Sequence, residues 1–179
     1  HIAAPLLVLR ATELLEPGRG LDEATQTALL LYTGYNVAAT AISIPAGHVG
    51  DRRGVVRVVD AGVLLFGVAY VLLALTGPSI GMLLAGFVAA GVGIGCVETA
   101  EHAAVAAFAP GELRGSAFGL LAAVQSFGNL AASAIAGLLW TLVSPQAAFW
   151  YAAAWMALGL AFIATRARRD GSAPSAPAR

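Results

Sequence analysis

Glu98, Glu101 and His102 are the residues of this 179-residue chain whose types and spacing most readily support chemistry. The glutamates are three residues apart and His102 follows Glu98 by four, so all three share one broad face of a helix. Carboxyl and imidazole groups exchange protons near neutral pH when they are partly removed from water. The first hypothesis for this cluster is therefore reversible proton binding.

The same cluster has a purely structural interpretation. It lies late in an apolar run, close to charged segments, where a glutamate could pair with Arg114 or with arginines further up the chain. A metal site is disfavoured, because the leading histidine of a zinc-protease helix is missing and His1 and His48 are isolated. The basic residues are all arginine, so a lysine-bearing phosphate loop is absent. The sequence predicts neither an enzyme nor a cofactor.

Composition indicates which element must hold these residues. Apolar residues make up 59% of the chain and charged residues 11%, and mean hydropathy is +0.80. A soluble chain of this length has too much surface to be covered by so few charges. The formal net charge is zero, which gives no attraction to nucleic acid. We therefore expect a lipid bilayer around the chain and no nucleic acid partner.

The predicted fold class is all-α, a polytopic transmembrane helix bundle with about five full spans. A bilayer core of about 30 Å needs about 20 apolar residues in a helix, and proline and glycine breaks divide the chain into such lengths. Residues 1–23 are assigned to the end of a truncated helix plus an extracellular loop, and 166–179 to a disordered cytoplasmic tail. The predicted spans within the 24–165 bundle are about 24–49, 58–76, 79–108, 115–143 and 147–165.

Arginine placement predicts the orientation. Positive charge is retained on the cytoplasmic side of a membrane, and arginines concentrate at one set of span ends, whereas only Arg10 and Arg19 precede the first span. We therefore expect a multi-pass protein of the plasma (cytoplasmic) membrane with a cytoplasmic C-terminal tail. The arginines on the predicted cytoplasmic side are Arg52, Arg53, Arg57, Arg114, Arg166, Arg168 and Arg169.

Neutral polar residues recur at helical spacing inside two spans. Thr33, Asn36 and Thr40 do so in the first span, and Gln125 and Asn129 do so in the fourth. Polar groups inside a bilayer are costly and usually face a cavity or another helix. Our hypothesis is that both stripes line a path for a small-molecule solute. The alternative is hydrogen bonding between helices, which contributes about 0.6 kcal/mol on average.

The charged segment between the first two spans carries a pattern of glycines, one aspartate and arginines. Its members are Gly47, Asp51, Arg52, Arg53, Gly54 and Arg57. The pattern resembles the signature loop of the major facilitator superfamily, although Val55 stands where a basic residue would follow the second glycine. The resemblance implies a tight glycine-framed cytoplasmic loop that latches the two halves of a transporter together. A plain positively charged loop is the alternative.

A second segment supports the resemblance. Residues 109–119 resemble the Pro-x-Glu-x-Arg-Gly-x-Ala-x-Gly loop that joins the fourth and fifth helices of one half of such a transporter. The two loops occur in the family's order, two spans apart. The residues that carry this second match are Pro110, Glu112, Arg114 and Gly115.

The resemblance implies a six-helix half of a facilitator, and the C-terminal half is favoured because the fourth span lacks the Gly-x-x-x-Gly-Pro pattern of drug antiporters. It implies secondary transport of a small solute by alternating access, with an N-terminal half of the same polypeptide as partner. Proton coupling would then use Glu98, Glu101 and His102. Efflux and uptake both fit. A non-transporting membrane scaffold or interaction module is the alternative function.

Overall fold

The chain folds into α-helices joined by very short connections. The computed structural model describes residues 4–171, with side chains for 5–162 and 165, and no strand forms within that range. The predicted all-α class is confirmed. The helices are α1 (Ala4–Arg19), α2 (Leu21–Arg53), α3 (Val55–Leu75), α4 (Ile80–Phe108), α5 (Arg114–Leu142) and α6 (Pro145–Gly171), with a 3-10 turn at Gly111–Leu113 before α5.

Four of the described helical segments are long and apolar enough to cross a bilayer: α2, α3, α4 and the Gly111–Leu142 segment that contains α5. In lipid, an α-helix satisfies its own backbone hydrogen bonds, so long apolar runs become long helices. Helix α6 has 27 residues, about 40 Å at 1.5 Å per residue. Helices α3, α4 and α5 lie close to their predicted bounds.

The other bounds differ from the prediction. Helix α6 continues to Gly171, so the tail predicted to be disordered from residue 166 begins as helix, and residues 172–179 lie outside the described residues. The extracellular loop predicted before the first span is reduced to Gly20, which has a φ of +81°. The physical reason is that a residue in a continuing helix keeps its backbone hydrogen bonds, which a loop must replace.

Helix α4 lies at the centre of the bundle, because glycines let two other helices approach its backbone. A Cβ on Gly91 would collide with the Tyr35 backbone carbonyl of α2, and a Cβ on Gly95 would lie 2.5 Å from the Ala39 carbonyl oxygen. On the other side, a Cβ on Gly93 would lie 3.0 Å from the Gly62 carbonyl oxygen of α3. Small residues allow this close packing in membranes.

Aromatic and large aliphatic side chains fill the space between α3, α4 and α6. The largest fully buried side chains are Tyr70, Leu73, Leu83, Phe87 and Phe149. The ring of Tyr70 lies 5.7 Å from that of Phe66 and 6.4 Å from that of Phe149, between ring centroids. This cluster fixes α3, α4 and α6 relative to one another.

Helix α5 is the least embedded of the described helices. It packs mainly on α6 and touches α4 over a short stretch, and Ala136 is its one buried residue. Much of its apolar surface is open, as shown by Leu120, Phe127 and Leu130, which are 67%, 74% and 68% exposed. Helix α5 therefore offers a long face that no other described part of this chain covers.

Candidate functional site

A polar cavity of about 360 Å³ lies between α4 and α5. It brings together four of the polar residues singled out from the sequence: Glu98 and Glu101 of α4, and Gln125 and Asn129 of α5. Its other walls are apolar and include Ile94, Val97 and Val124. Carboxylates and amides that converge in a partly apolar recess are typical of a binding site for a small molecule.

One hydrogen bond joins the two sides of the cavity. Nε2 of Gln125 donates to Oε2 of Glu101 at 2.5 Å, and both side chains are half-buried. Glu98 lies one turn earlier on α4 and is more exposed. The carboxylate of Glu101 is therefore held in a fixed position, whereas that of Glu98 is open to the cavity.

His102 belongs to the edge of this region and does not line the cavity. Its Nδ1 donates to the Glu98 carbonyl oxygen at 2.7 Å, so the imidazole is bonded to its own helix. The ring stacks on Phe118 of α5, with 5.7 Å between ring centroids. Glu98, Glu101 and His102, which were predicted to act together, are therefore neighbours, but only the two glutamates line the cavity.

The polar stripe of α2 is separate from the α4–α5 cavity. Thr33, Asn36 and Thr40 are exposed, and each donates to a carbonyl oxygen four residues earlier in α2, at 3.0, 2.8 and 3.0 Å. They line a shallow recess of about 400 Å³ with Val37 and Ala41. Both hydroxyl donors and one N–H of the Asn36 amide are satisfied within the helix, so the side-chain oxygens remain available as acceptors.

The signature segment is mostly helical, which corrects the predicted loop. Helix α2 runs on through Gly47, Asp51, Arg52 and Arg53, and only Gly54 leaves the helix. Gly54 has a φ of +92°, a region that favours glycine, and its N–H donates to the Gly50 carbonyl oxygen at 2.9 Å. A single glycine therefore makes the reversal that was assigned to two.

The members of this segment have different surroundings. Gly47 is half-buried, and a Cβ there would lie 3.8 Å from the Thr99 side chain of α4, so this position packs two helices together. Asp51, Arg52 and Arg53 are exposed, as is Arg57 in the first turn of α3. Within the described residues none of these four forms an ion pair. These charges are therefore available to contact another surface.

The second predicted loop is also shorter than expected. Pro110 and Glu112 are exposed and lie between α4 and α5, in the extended link and the 3-10 turn. Arg114 and Gly115 are the first residues of α5, not loop residues, and they are exposed too. Because consecutive helices reverse direction, Arg114 lies at the same end of the bundle as Arg57.

Several buried or interhelical polar groups belong to residues that were not predicted as site residues. Arg10 is only 5% exposed, and its Nε has no hydrogen-bond partner among the described residues. Asp60, inside α3, buries Oδ1 without a hydrogen-bond partner in the described part of the chain. Glu13 of α1 accepts a hydrogen bond from Nε1 of Trp140 at 3.0 Å. A charged residue within an apolar span is a sequence signal that could have identified Asp60.

Residues 77–81 have the Gly-x-Ser-x-Gly spacing of a hydrolase nucleophile turn. In that enzyme class the serine follows a strand and lies beside a histidine base. Here Ser79 follows helix α3 and precedes α4, and it is exposed. The spacing therefore reflects a helix–helix turn, in which Ser79 N–H donates to the Gly77 carbonyl oxygen at 2.8 Å.

Comparison with known proteins assigns the chain to a family. A family model described as Major Facilitator Superfamily matches residues 14–179, which is most of the chain. The chain belongs to the major facilitator superfamily. Together with its apolar helices, this membership makes it a multi-pass membrane protein of a transporter family. No solved structure matches it.

Two curated relatives of the superfamily are transporters by name. A gentisate transporter from Corynebacterium glutamicum is 36% identical over 119 residues, which cover 64% of this chain and 26% of the relative. An uncharacterized MFS-type transporter, MJ1317, from Methanocaldococcus jannaschii is 30% identical over 146 residues, 80% of this chain and 35% of the relative. The chain therefore matches between about a quarter and about a third of the length of these relatives.

Proposed function

We propose that this chain supplies the C-terminal half of a secondary transporter that moves a small solute by alternating access. The observation that carries the proposal is the α4–α5 cavity, where Glu98, Glu101, Gln125 and Asn129 converge beside a helix that is largely uncovered. Transporters of this kind bind solute between two repeated halves near the bilayer midplane. The N-terminal half of the same polypeptide would cover the open faces of α2 and α5.

The charges support an orientation for the proposed transporter. Arg52, Arg53, Arg57 and Arg114 are exposed at one end of the bundle, and arginine-rich ends face the cytoplasm. Helix α6 ends at the same side, so the C-terminal tail would be cytoplasmic. The proposed location is the plasma membrane. Arg52 and Arg53 of the signature segment, which form no ion pair within the described residues, would then contact the partner half and be released as the halves rock.

Proton coupling is part of the proposal and depends on the two glutamates. Glu101 is fixed by Gln125, whereas Glu98 faces the cavity without a side-chain hydrogen bond among the described residues. A solute that carries a carboxylate would be repelled by ionised glutamates and accepted once they are protonated. Gentisate, the solute named for the relative from Corynebacterium glutamicum, is therefore the first solute to test. No enzymatic step is proposed.

The test uses the full polypeptide in proteoliposomes. We expect an imposed proton gradient to drive gentisate accumulation, and Glu98→Gln to lower that accumulation by about tenfold while solute exchange without a gradient continues. Glu16→Gln, which alters an exposed carboxylate of α1, is the matched control and should behave as wild type.

The alternatives give different results in this assay. Unchanged gradient-driven accumulation in Glu98→Gln and Glu101→Gln would remove the coupling hypothesis but keep transport. Absence of both accumulation and exchange across a panel of small organic acids, amines and sugars would favour the membrane scaffold.

A further inference from the structure

We propose that the groove between α3 and α6 binds one phospholipid of the leaflet at the arginine-bearing end of the bundle. An acyl chain would fill the groove, and the phosphate would bind Arg57. The proposal depends on the membrane-spanning fold and not on transport, so it stands or falls separately from the proposed function.

The groove is almost wholly apolar and has a volume of about 350 Å³, within the roughly 300–1,000 Å³ of ligand sites. Leu64, Val68 and Leu72 of α3 form one wall, and Leu160 of α6 forms part of the other. Its floor is low because Gly67, Ala153 and Ala157 have small or no side chains. An open apolar groove with branched walls matches a hydrocarbon chain, which offers no polar atom to pair.

Arg57 lies in line with this groove. Residues 57, 64 and 71 follow at seven-residue spacing, so they lie on one face of α3, and Arg57 is about 10 Å from Leu64 along the axis at 1.5 Å per residue. Arg57 is exposed, and within the described residues it forms no ion pair. Asp60, the acid of α3, buries its Oδ1 and forms no ion pair with Arg57.

The spacing and the charge identify the occupant. A guanidinium binds phosphate oxygens in a paired geometry, and basic pockets between membrane helices bind lipid headgroups on the positively charged side. Arginine at a helix end extends towards the headgroup layer. A phospholipid has its phosphate at that layer and its chains directed towards the bilayer midplane, which is the direction in which the groove runs from Arg57.

The experiment is native mass spectrometry of the delipidated full polypeptide titrated with phosphatidylglycerol. We expect Arg57→Gln to weaken the first lipid-binding step by about tenfold, because it removes a charge-assisted hydrogen bond. Arg57→Lys should bind with an affinity between those of wild type and Arg57→Gln, because lysine keeps the charge but not the paired geometry. Ala157→Leu and Val68→Trp, two independent ways to fill the groove, should each weaken binding by about tenfold.

Matched controls and probes separate the possible occupants. Ala154→Leu places the same side chain on an exposed position of α6 outside the groove and should bind as wild type. Diacylglycerol, which lacks the phosphate, should bind weakly to wild type and equally weakly to Arg57→Gln, and inorganic phosphate should not compete. The proposal would be overturned if both groove-filling variants bound lipid as wild type does. It would also be overturned if these variants changed the oligomeric state of the protein without weakening lipid binding.

Discussion

Nε1 of Trp140 donates a hydrogen bond to Oε1 of Glu13 at 3.0 Å, which ties the end of α5 to α1 across 127 positions of the chain. The Trp140 ring also lies 6.0 Å from that of Phe149, between centroids. Helix α5 has few other attachments. Among the described residues, its second side-chain hydrogen bond to another helix runs from Gln125 to Glu101 of α4. This weakly packed helix is thus held by one polar contact near its C-terminal end and another near its middle.

Trp140→Phe should lower the free energy of unfolding by about 1 kcal/mol. The phenyl ring keeps the contact with Phe149, but the N–H donor to Glu13 is lost, and hydrogen bonds between membrane helices contribute about 0.6 kcal/mol on average and about 1.7 at most. Unfolding in detergent, combined with Glu13→Ala in a double-mutant cycle, measures the coupling. Trp150→Phe, at a tryptophan that is 47% exposed, is the control. Additive effects of Trp140→Phe and Glu13→Ala would contradict the tether.

Gly91→Ala and Gly95→Ala should each destabilise the bundle by about 1–3 kcal/mol, the usual cost of overpacking. In each case the added methyl group meets backbone carbonyl atoms of α2, which cannot move aside like a side chain. Gly81→Ala, on the same helix with nothing within 4 Å of its Cβ position, should gain up to about 1 kcal/mol from helix propensity. Thermal unfolding of the three variants compares them directly, and similar effects at all three glycines would be inconsistent with the packing described.

The helices could be predicted because the bilayer restricts the choice. Long apolar runs must be helical in lipid, and the breaks at Gly77–Pro78, Ala109–Pro110 and Ser144–Pro145 limited their extent. The packing role of Gly91, Gly93 and Gly95 was also predictable, since glycine weakens a helix unless close contact compensates. The partner of each glycine was not, because nothing local in α4 indicates which helix approaches it.

Four polar residues singled out from the sequence line the α4–α5 cavity, but their arrangement could not be predicted. Glu98 and Glu101 lie beside Gln125 and Asn129 because α4 packs on α5. That packing depends on the whole bundle and not on the local sequence of either helix. The stripe of Thr33, Asn36 and Thr40 lies apart from them on α2. The sequence could not show this, because helical spacing alone does not indicate which other helix a polar stripe faces. The signature segment was predicted as a loop because its charges and glycines outweighed the tendency of a helix to continue.

Gly54→Ala should destabilise the α2–α3 turn by about 1–3 kcal/mol, the cost of holding an L-residue in a backbone region that glycine alone occupies readily. The φ of Gly54 is +92° and its ψ is 143°, and no atom lies within 4 Å of a Cβ there, so the effect would be one of backbone strain. Gly50→Ala, inside α2 with Val58 at an ordinary contact distance of 3.7 Å, should be neutral or slightly stabilising. Thermal unfolding checks the pair, and an equal loss in both would argue against strain at Gly54.

Gln125→Leu should impair transport by the full polypeptide more than it impairs stability. Leucine has a similar volume but cannot donate to Glu101, so the carboxylate would lose the contact that fixes it in the cavity, at a cost of about 1 kcal/mol in folding. If the cavity binds solute, the half-saturating concentration should rise by about tenfold, because a positioned polar group is lost from the binding site. Ser126→Ala, the exposed neighbour on α5 that does not line the cavity, should keep the wild-type value. Equal half-saturating concentrations in Gln125→Leu and wild type would place the solute path outside the α4–α5 cavity, and the open stripe of α2 would then be the next position to substitute.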